Sequence, residues 1–183
     1  MSTSADGSSV PRSTTRSNEE SADVEIRPVA VGDLDALVDV YLAGAEHHAA
    51  IDPDAFRVPE REDAAARLRR RLDARGPEHE YVAAVIDGTV VGSATLDLDD
   101  LPSPGAMARP IRSAELGIAV LEGYRGRGVG RRLMAHLEGW AAANGVERVI
   151  LNVSATNEAA LRLYHELGYV DSGVELRKNV HAT

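Results

Sequence analysis

Hydrophobic positions along the chain fall into short blocks of two kinds, and the alternation between them predicts the element order. Val24 to Val29 alternates like a strand, and Pro28 suits a strand at a sheet edge. Asp33 then stands where a helix cap belongs. Leu34, Leu37, Val38, Tyr41, Leu42 and Ala45 follow at helical spacing until Asp52-Pro53 breaks the pattern. Glu60 to Ala74 repeats the helical period through Ala64, Leu68 and Leu72, and Gly76-Pro77 ends it. Tyr81–Ile86 and Val90–Leu96 flank Asp87-Gly88, which predicts a tight hairpin. Asp99 to Arg112, with three prolines and Gly105, reads as a loop, and Glu115 to Leu121 as a further strand.

The second half continues in the same manner. Val129, Leu133, Leu137, Trp140 and Ala141 form one stripe of a helix over Arg127 to Asn144, with Asn144-Gly145 as its stop. Arg148–Val153 is a predicted strand, Ala159–Leu167 a short helix ended by Gly168, and Tyr169–Val170 and Val174–Val180 two closing strands. The order is β-α-α-β-β-β-α-β-α-β-β. The hairpin makes the sheet mixed, and the strand-loop-helix-strand unit of the second half supplies its parallel pair. Residues 1–22 are rich in Ser and Thr and poor in large apolar side chains, so they are expected to be a disordered tail. Residues 23–181 are expected to form one domain, since 183 residues with 44% hydrophobic content suffice for one sizeable core.

Net charge is −9, and the tail holds only Asp6, Glu19, Glu20 and Asp23 against Arg12 and Arg16, so the acidic surplus belongs to the body. An acidic body argues against broad binding of nucleic acid or of an anionic membrane. The absence of cysteine excludes disulfides, thiolate metal sites and cysteine nucleophiles. No apolar stretch is long enough to cross a bilayer and the N-terminus has no apolar leader core, so a cytoplasmic location is the default expectation. His47 and His48 are adjacent and point apart on a helix, which makes them a poor metal pair and suits a solvent-facing or acceptor-lining role. No metal is expected.

The chemistry concentrates in Tyr124-Arg125-Gly126-Arg127-Gly128-Val129-Gly130-Arg131-Arg132-Leu133. Glycines there let a ligand approach backbone closely, and a loop that opens a helix aims free N–H groups and the positive dipole end at one spot. This is a cradle for phosphate oxygens. It lacks the Lys-Ser/Thr of a Walker loop, and Gly126-x-Gly128-x-Gly130 misplaces the last glycine of the dinucleotide fingerprint. A ligand-free glycine turn is the plain alternative.

The segment Glu115 to Gly130 resembles the signature of the Gcn5-related N-acetyltransferase (GNAT) family, whose acyl-CoA loop reads Gln/Arg-x-x-Gly-x-Gly/Ala. Arg125, Gly128 and Gly130 fill those places. Asn157-Glu158-Ala159-Ala160-Leu161-Arg162-Leu163-Tyr164-His165-Glu166-Leu167-Gly168-Tyr169 is similar to the family's Asn-x-x-Ala-x-x-Leu-Tyr-x-x-x-Gly-Phe segment. Glu122, where proline is frequent, and Tyr169, in place of Phe, are mild departures.

The resemblance implies an α/β acyl-CoA N-acyltransferase fold, with a mixed, mostly antiparallel sheet of six or seven strands and helices on both faces. It implies acetyl-CoA as co-substrate and direct acetyl transfer to an amine. Backbone groups of Ile118, Ala119 and Val120 would pair with pantetheine, and N–H groups of Arg127, Gly128, Val129, Gly130 and Arg131, within the loop that starts at Arg125 and Gly126, would take the pyrophosphate. Tyr164 would protonate the departing thiolate, or else simply pack with Ala160, Leu163 and Leu167. Asn157 can bond pantetheine, cap its helix, or do both. Glu115 can relay the amine proton or be a solvated carboxylate. Asn152 can contact a substrate or serve structure alone. Glu46–Val58, Asp97–Arg112 and Asp171–Val174 are the segments expected to shape the acceptor site. A non-catalytic acyl-CoA sensor and an interaction module using the basic helix Arg61–Arg75 are the competing classes, and an exposed terminal strand would allow a homodimer.

Overall fold

The computed structural model describes residues 23–98 and 111–178. The tail 1–22 and most of the loop 99–112 therefore lie outside the described residues. The elements are β1 (Glu25–Pro28), α1 (Leu34–Ile51), α2 (Arg61–Asp73), β2 (His79–Ile86), β3 (Thr89–Leu98), β4 (Ser113–Val120), α3 (Val129–Ala143), β5 (Arg148–Ile150) and α4 (Glu158–Glu166), with short 3-10 turns at Val31–Asp33 and Glu122–Tyr124. The sheet runs β1-β2-β3-β4-β5, antiparallel except for the parallel pair β4–β5. Pro28 is indeed on the edge strand, where its missing N–H leaves no ladder bond unmade. Among the described residues no helix is long and apolar enough to cross a membrane.

Asp87 and Gly88 both have positive φ, 48° and 75°, which is the turn whose twist suits a two-residue hairpin. Further along the hairpin the register slips between Ala84 and Val85: Ala84 faces Gly92 while Val85 faces Val90, so Val91 is an extra residue in β3. The bulge puts Val91 on the same face as Ala94 and Leu96 and leaves Val90 on the other.

Two cores result, one per face. Leu34, Leu37, Val38 and Val40 of α1 and Ala64, Leu68 and Leu72 of α2 cover Tyr81, Ala83, Val85 and Val90. Val129, Leu133, Met134, Leu137 and Ala141 of α3 cover Val82, Ala84, Val91, Ala94, Leu96, Ala114 and Leu116. Complete burial of a Leu such as Leu133 or Leu137 stabilises the fold by about 1.5–3 kcal/mol. Helix α3 ends as expected. Gly145 has φ 70°, its N–H donates to the Ala142 carbonyl, and the Val146 N–H donates to the Ala141 carbonyl at 2.9 Å.

Three expectations need correction. Asp33 holds the N-cap position of α1 as expected, but its side chain makes no cap bond there. Its carboxylate instead accepts the Ala30 N–H at 2.7 Å and both arms of the Arg27 guanidinium at 2.7 and 2.8 Å. The sheet has five strands among the described residues, not six or seven. Tyr169–Lys178 is irregular, with Val170, Val174 and Leu176 exposed at 83, 86 and 90%. Alternating apolar residues favour a strand only where a face is covered and a neighbour offers a ladder, and β5 offers three residues. The expected strand Arg148–Val153 is cut to Arg148–Ile150 because β5 turns away from β4 there.

Candidate acyl-CoA site

The parting of β4 and β5 builds the site. They pair only as Ser113–Arg148, Ala114–Val149 and Glu115–Ile150, and β4 then continues to Val120 paired with β3 alone. Backbone groups alternate along a strand. The Leu121 N–H donates to Val91 at 2.9 Å, so odd-numbered residues of β4 turn their N–H and C=O groups to β3. The Arg112 carbonyl accepts from Glu147 and Arg148, so even-numbered residues turn theirs to β5. Ile118 thus presents both backbone groups, Leu116 its carbonyl and Val120 its N–H along an edge that no strand covers among the described residues, the Val120 carbonyl being taken by Arg125. Ala119 does not: its backbone pairs with Ser93, and its methyl lies 3.4 Å from where a Cβ on Gly44 of α1 would stand. Of the three residues expected to offer backbone to a ligand, Ile118 and Val120 face the open edge and Ala119 faces β3.

At the end of β4 the chain makes a 3-10 turn and enters the glycine loop. Gly126 and Gly128 have φ 73° and 81°, which L side chains rarely adopt, and a Cβ at either would meet nothing within 4 Å. Gly128 is the N-cap of α3 and offers no side-chain cap. The first intrahelical bond is from the Arg132 N–H to the Gly128 carbonyl, which leaves the N–H groups of Val129, Gly130 and Arg131 without helical partners. Gly130 serves packing instead: a Cβ there would lie 3.4 Å from Leu163 of α4 and 4.0 Å from Ile118. Arg127 lies over the Tyr124 ring at 5.4 Å, and Arg131 pairs with Glu166 of α4, which ties the two helices together.

Tyr164 is half-buried against the α3-side core, its ring 6.0 Å from that of Tyr169. Burial pushes its phenol above the ordinary tyrosine range, so it keeps its proton at neutral pH. The Tyr169 hydroxyl is buried with no hydrogen-bond partner among the described residues, and burial first, then the nearby Glu138, push it up further. Glu115 is exposed, and strand alternation puts it on the α1 side of the sheet with Gly117 and Ala119, the side opposite Tyr164. The Asn152 amide lies 3.4 Å from the Glu115 carboxylate, which places both at the point where β4 and β5 separate.

Asn157 caps α4, accepting the Ala160 N–H at 3.2 Å. Its amide nitrogen is 3.4 Å from His47 Nε2, while His47 Nδ1 is 3.3 Å from Arg125 Nη1. Arg125 Nε donates to the Val120 carbonyl at 3.0 Å. His47 thus joins the two elements that flank the opening, a more specific place than the solvent-facing or acceptor-lining role its position suggested. One sequence signal was available: Val40, Gly44 and His47 share a stripe of α1, with Gly44 at the point where α1 touches β4. Burial, then the charge of Arg125 and of His48, hold the His47 imidazole below its ordinary pKa and hence neutral. Among the described residues no cluster of three His, Cys, Asp or Glu side chains could hold a metal.

A model of the acetyltransferase (GNAT) family matches residues 45–169. N-alpha-acetyltransferase RimI of Mycobacterium tuberculosis is 37% identical over 101 residues, 55% of this chain and 58% of that protein. L-amino acid N-acetyltransferase AaaT of Escherichia coli is 31% identical over 101 residues, 53% of this chain and 57% of that protein. The match thus spans little more than half the length of either. Among solved structures, a tetramutant of the BH1408 protein of Bacillus halodurans superposes with a TM-score of 0.76 at 22% identity, over 85% of this chain and 99% of that one. Aminoglycoside acetyltransferase AAC(6')-Iy, in complex with a bisubstrate analogue of CoA, superposes with a TM-score of 0.65 at 19% identity, over 87% of this chain and 99% of that one. At these identities the superpositions speak for the fold alone.

Proposed function

This chain belongs to the acetyltransferase (GNAT) family, and from that premise we propose that it is an N-acetyltransferase that moves an acetyl group from acetyl-CoA to a primary amine of a small molecule or protein, with residues 23–181 as the transferase domain. The observation that carries the reading is the uncovered edge of β4 running straight into the free N–H groups of α3. An extended pantetheine arm can add to such an edge as a strand would, through Ile118, the Val120 N–H and the Leu116 carbonyl. The N–H groups of Val129, Gly130 and Arg131, with the loop at Arg127 and Gly128, suit a pyrophosphate. Gly128 fits this role, since the space beside it is open on the side a Cβ would occupy.

The thioester supplies an activated acetyl group. The Ile118 N–H faces the open edge nearer to Glu115 and can donate to the carbonyl oxygen as the amine adds. Tyr164, held in its protonated form, can give a hydrogen bond and finally a proton to the departing sulfur. Glu115, on the other side of the sheet, can take the proton that the amine loses, with Asn152 steadying its carboxylate. Acid and base then approach β4 from opposite faces.

Calorimetry with acetyl-CoA, coupled to thiol release across an amine panel, tests this. Saturable binding is expected, and acetyl-CoA at a hundred times its Kd should raise Tm by about 5–10 °C. Gly128→Val should abolish that binding. Absence of binding by the native chain overturns the reading, and binding without turnover on any amine gives the sensor instead.

A further inference from the structure

Gly117 lies inside β4 without a conformational reason to be glycine. Its φ is outside the left-handed region, and a glycine in a strand interior weakens the strand. Such a glycine marks a place where something approaches the backbone closely. Gly117 shares the α1 side of the sheet with Glu115 and Ala119. Ala119 lies under α1 at Gly44, whereas Gly117 is exposed, so the helical cover ends between them. Thr95 of β3 is the cross-strand partner of Gly117, and a Cβ on Gly117 would stand 3.1 Å from the Thr95 hydroxyl oxygen. Asp97 faces Glu115 at the next pair on this side. Both of its carboxylate oxygens are engaged, one by Arg71 of α2 and the other by His79 Nδ1 at 3.0 Å. The result is a recess with a bare floor at Gly117, a hydroxyl at Thr95 and the Glu115 carboxylate beside it.

The chain itself sets this recess against the open edge. The peptide that joins Gly117 to Ile118 carries the N–H that faces the edge, so the bare Cα adjoins the donor that would hold the thioester oxygen. An amine that reaches this point from the α1 side, where Glu115 stands, passes over Gly117. A neutral primary amine adds through its lone pair and has two N–H bonds to place. Glu115 can accept one of them. The Thr95 hydroxyl, with two acceptor lone pairs, can accept the other. Resting on the acetyl-transfer reading, we propose that Gly117 and Thr95 form the amine subsite, selective for primary amines: Gly117 supplies the clearance and Thr95 the second acceptor, whose N–H an N-methylated amine lacks. The proton lost by the nitrogen goes to Glu115, and Thr95 keeps its own. Packing against Thr95 is the other reason for a glycine here, and the variants below separate the two.

Thiol release is measured at saturating acetyl-CoA with the best primary amine of a panel and with its N-methyl counterpart. The native chain should prefer the primary amine by about tenfold or more in kcat/KM, the size of one hydrogen bond to a desolvated polar group. Thr95→Val keeps the shape and loses the hydroxyl. It should bring that ratio toward one, while calorimetric affinity for CoA stays within about twofold. Thr95→Ser should retain the preference. Gly117→Ala should raise KM of the primary amine by about tenfold with CoA affinity likewise kept. Its Cβ also crowds Thr95, so the same change is made in a Thr95→Ala background, where that crowding is gone. KM should still rise there by a similar factor, although Tm no longer falls. A Gly117→Ala change that costs nothing in that background overturns the proposal and assigns Gly117 to packing. An unchanged preference in Thr95→Val overturns it too, as does equal use of both amines by the native chain. Failure of the acetyl-transfer reading itself shows differently, as absent acetyl-CoA binding or absent transfer to every amine.

Discussion

Gly92→Ala probes how tightly β3 holds the strand whose far edge forms the site. A Cβ at Gly92 would stand 3.0 Å from the Ala119 carbonyl oxygen, 3.3 Å from Val120 Cγ2 and 3.5 Å from Leu133 Cδ1. The leucine can rotate aside. The carbonyl cannot, because Ala119 is paired with Ser93 in the β3–β4 ladder. Relief requires β4 to move away by a few tenths of an ångström, at a typical overpacking cost of about 1–3 kcal/mol. Loss of glycine freedom from the unfolded chain returns about 0.4–1 kcal/mol. The balance is a destabilisation of about 1–2 kcal/mol, or roughly 2–8 °C in Tm for a chain of this size. Because the displaced residues are Ala119 and Val120, calorimetric affinity for CoA should fall as well. Scanning calorimetry and titration with CoA read the two effects. A variant with native Tm and native CoA affinity refutes the packing argument and the placement of the ligand edge at Val120.

Other expectations follow from the same geometry. Arg27→Ala removes the bidentate partner of Asp33 and should lower stability at neutral pH by about 1–2 kcal/mol, read by urea unfolding. Arg27 holds the Asp33 carboxyl below the usual carboxylate range by hydrogen bonding, with burial opposing. The stability this contributes is present above about pH 4 and is lost as pH falls through the folded-state value, so the variant should also show a flatter acid limb. Tyr164→Phe keeps the ring and removes the hydroxyl: kcat should drop by about 10²–10⁴ with little change in CoA affinity, and an unaltered kcat removes the acid role.

The fold was legible where one period held over a whole element. The stripes of α1, α2 and α3 and the Asp87-Gly88 hairpin lie where spacing predicts them, because each packs one face on a sheet and each end carries its own turn chemistry. Legibility failed where a neighbour decides the outcome. Nothing in Val149-Ile150-Leu151 marks the residue at which β5 leaves β4, and Val174-Glu175-Leu176 alternates like a strand without gaining one. The glycine loop was readable because positive φ restricts residue choice at Gly126 and Gly128. The direction of backbone groups was not, which is why Ala119 stood beside Ile118 and Val120 until the β3 register fixed its orientation. His47 was readable as a solvent-facing or acceptor-lining residue, but its partners were not, because Arg125 and Asn157 are 78 and 110 residues away in sequence.

The short β4–β5 ladder divides the molecule mechanically. Strands β1 to β4 form a slab gripped on both faces, whereas the leaf beyond it joins the sheet by three residue pairs, and its helix α4 contains no fully buried residue and meets α3 through Arg131–Glu166, Leu163 and Tyr164. Opening such a leaf breaks the Arg131–Glu166 pair and half-buried contacts of Tyr164 and Leu167 and leaves the fully buried side chains of the slab in place. A long, floppy guest could therefore thread the cleft by brief openings of one side, with the cores intact throughout.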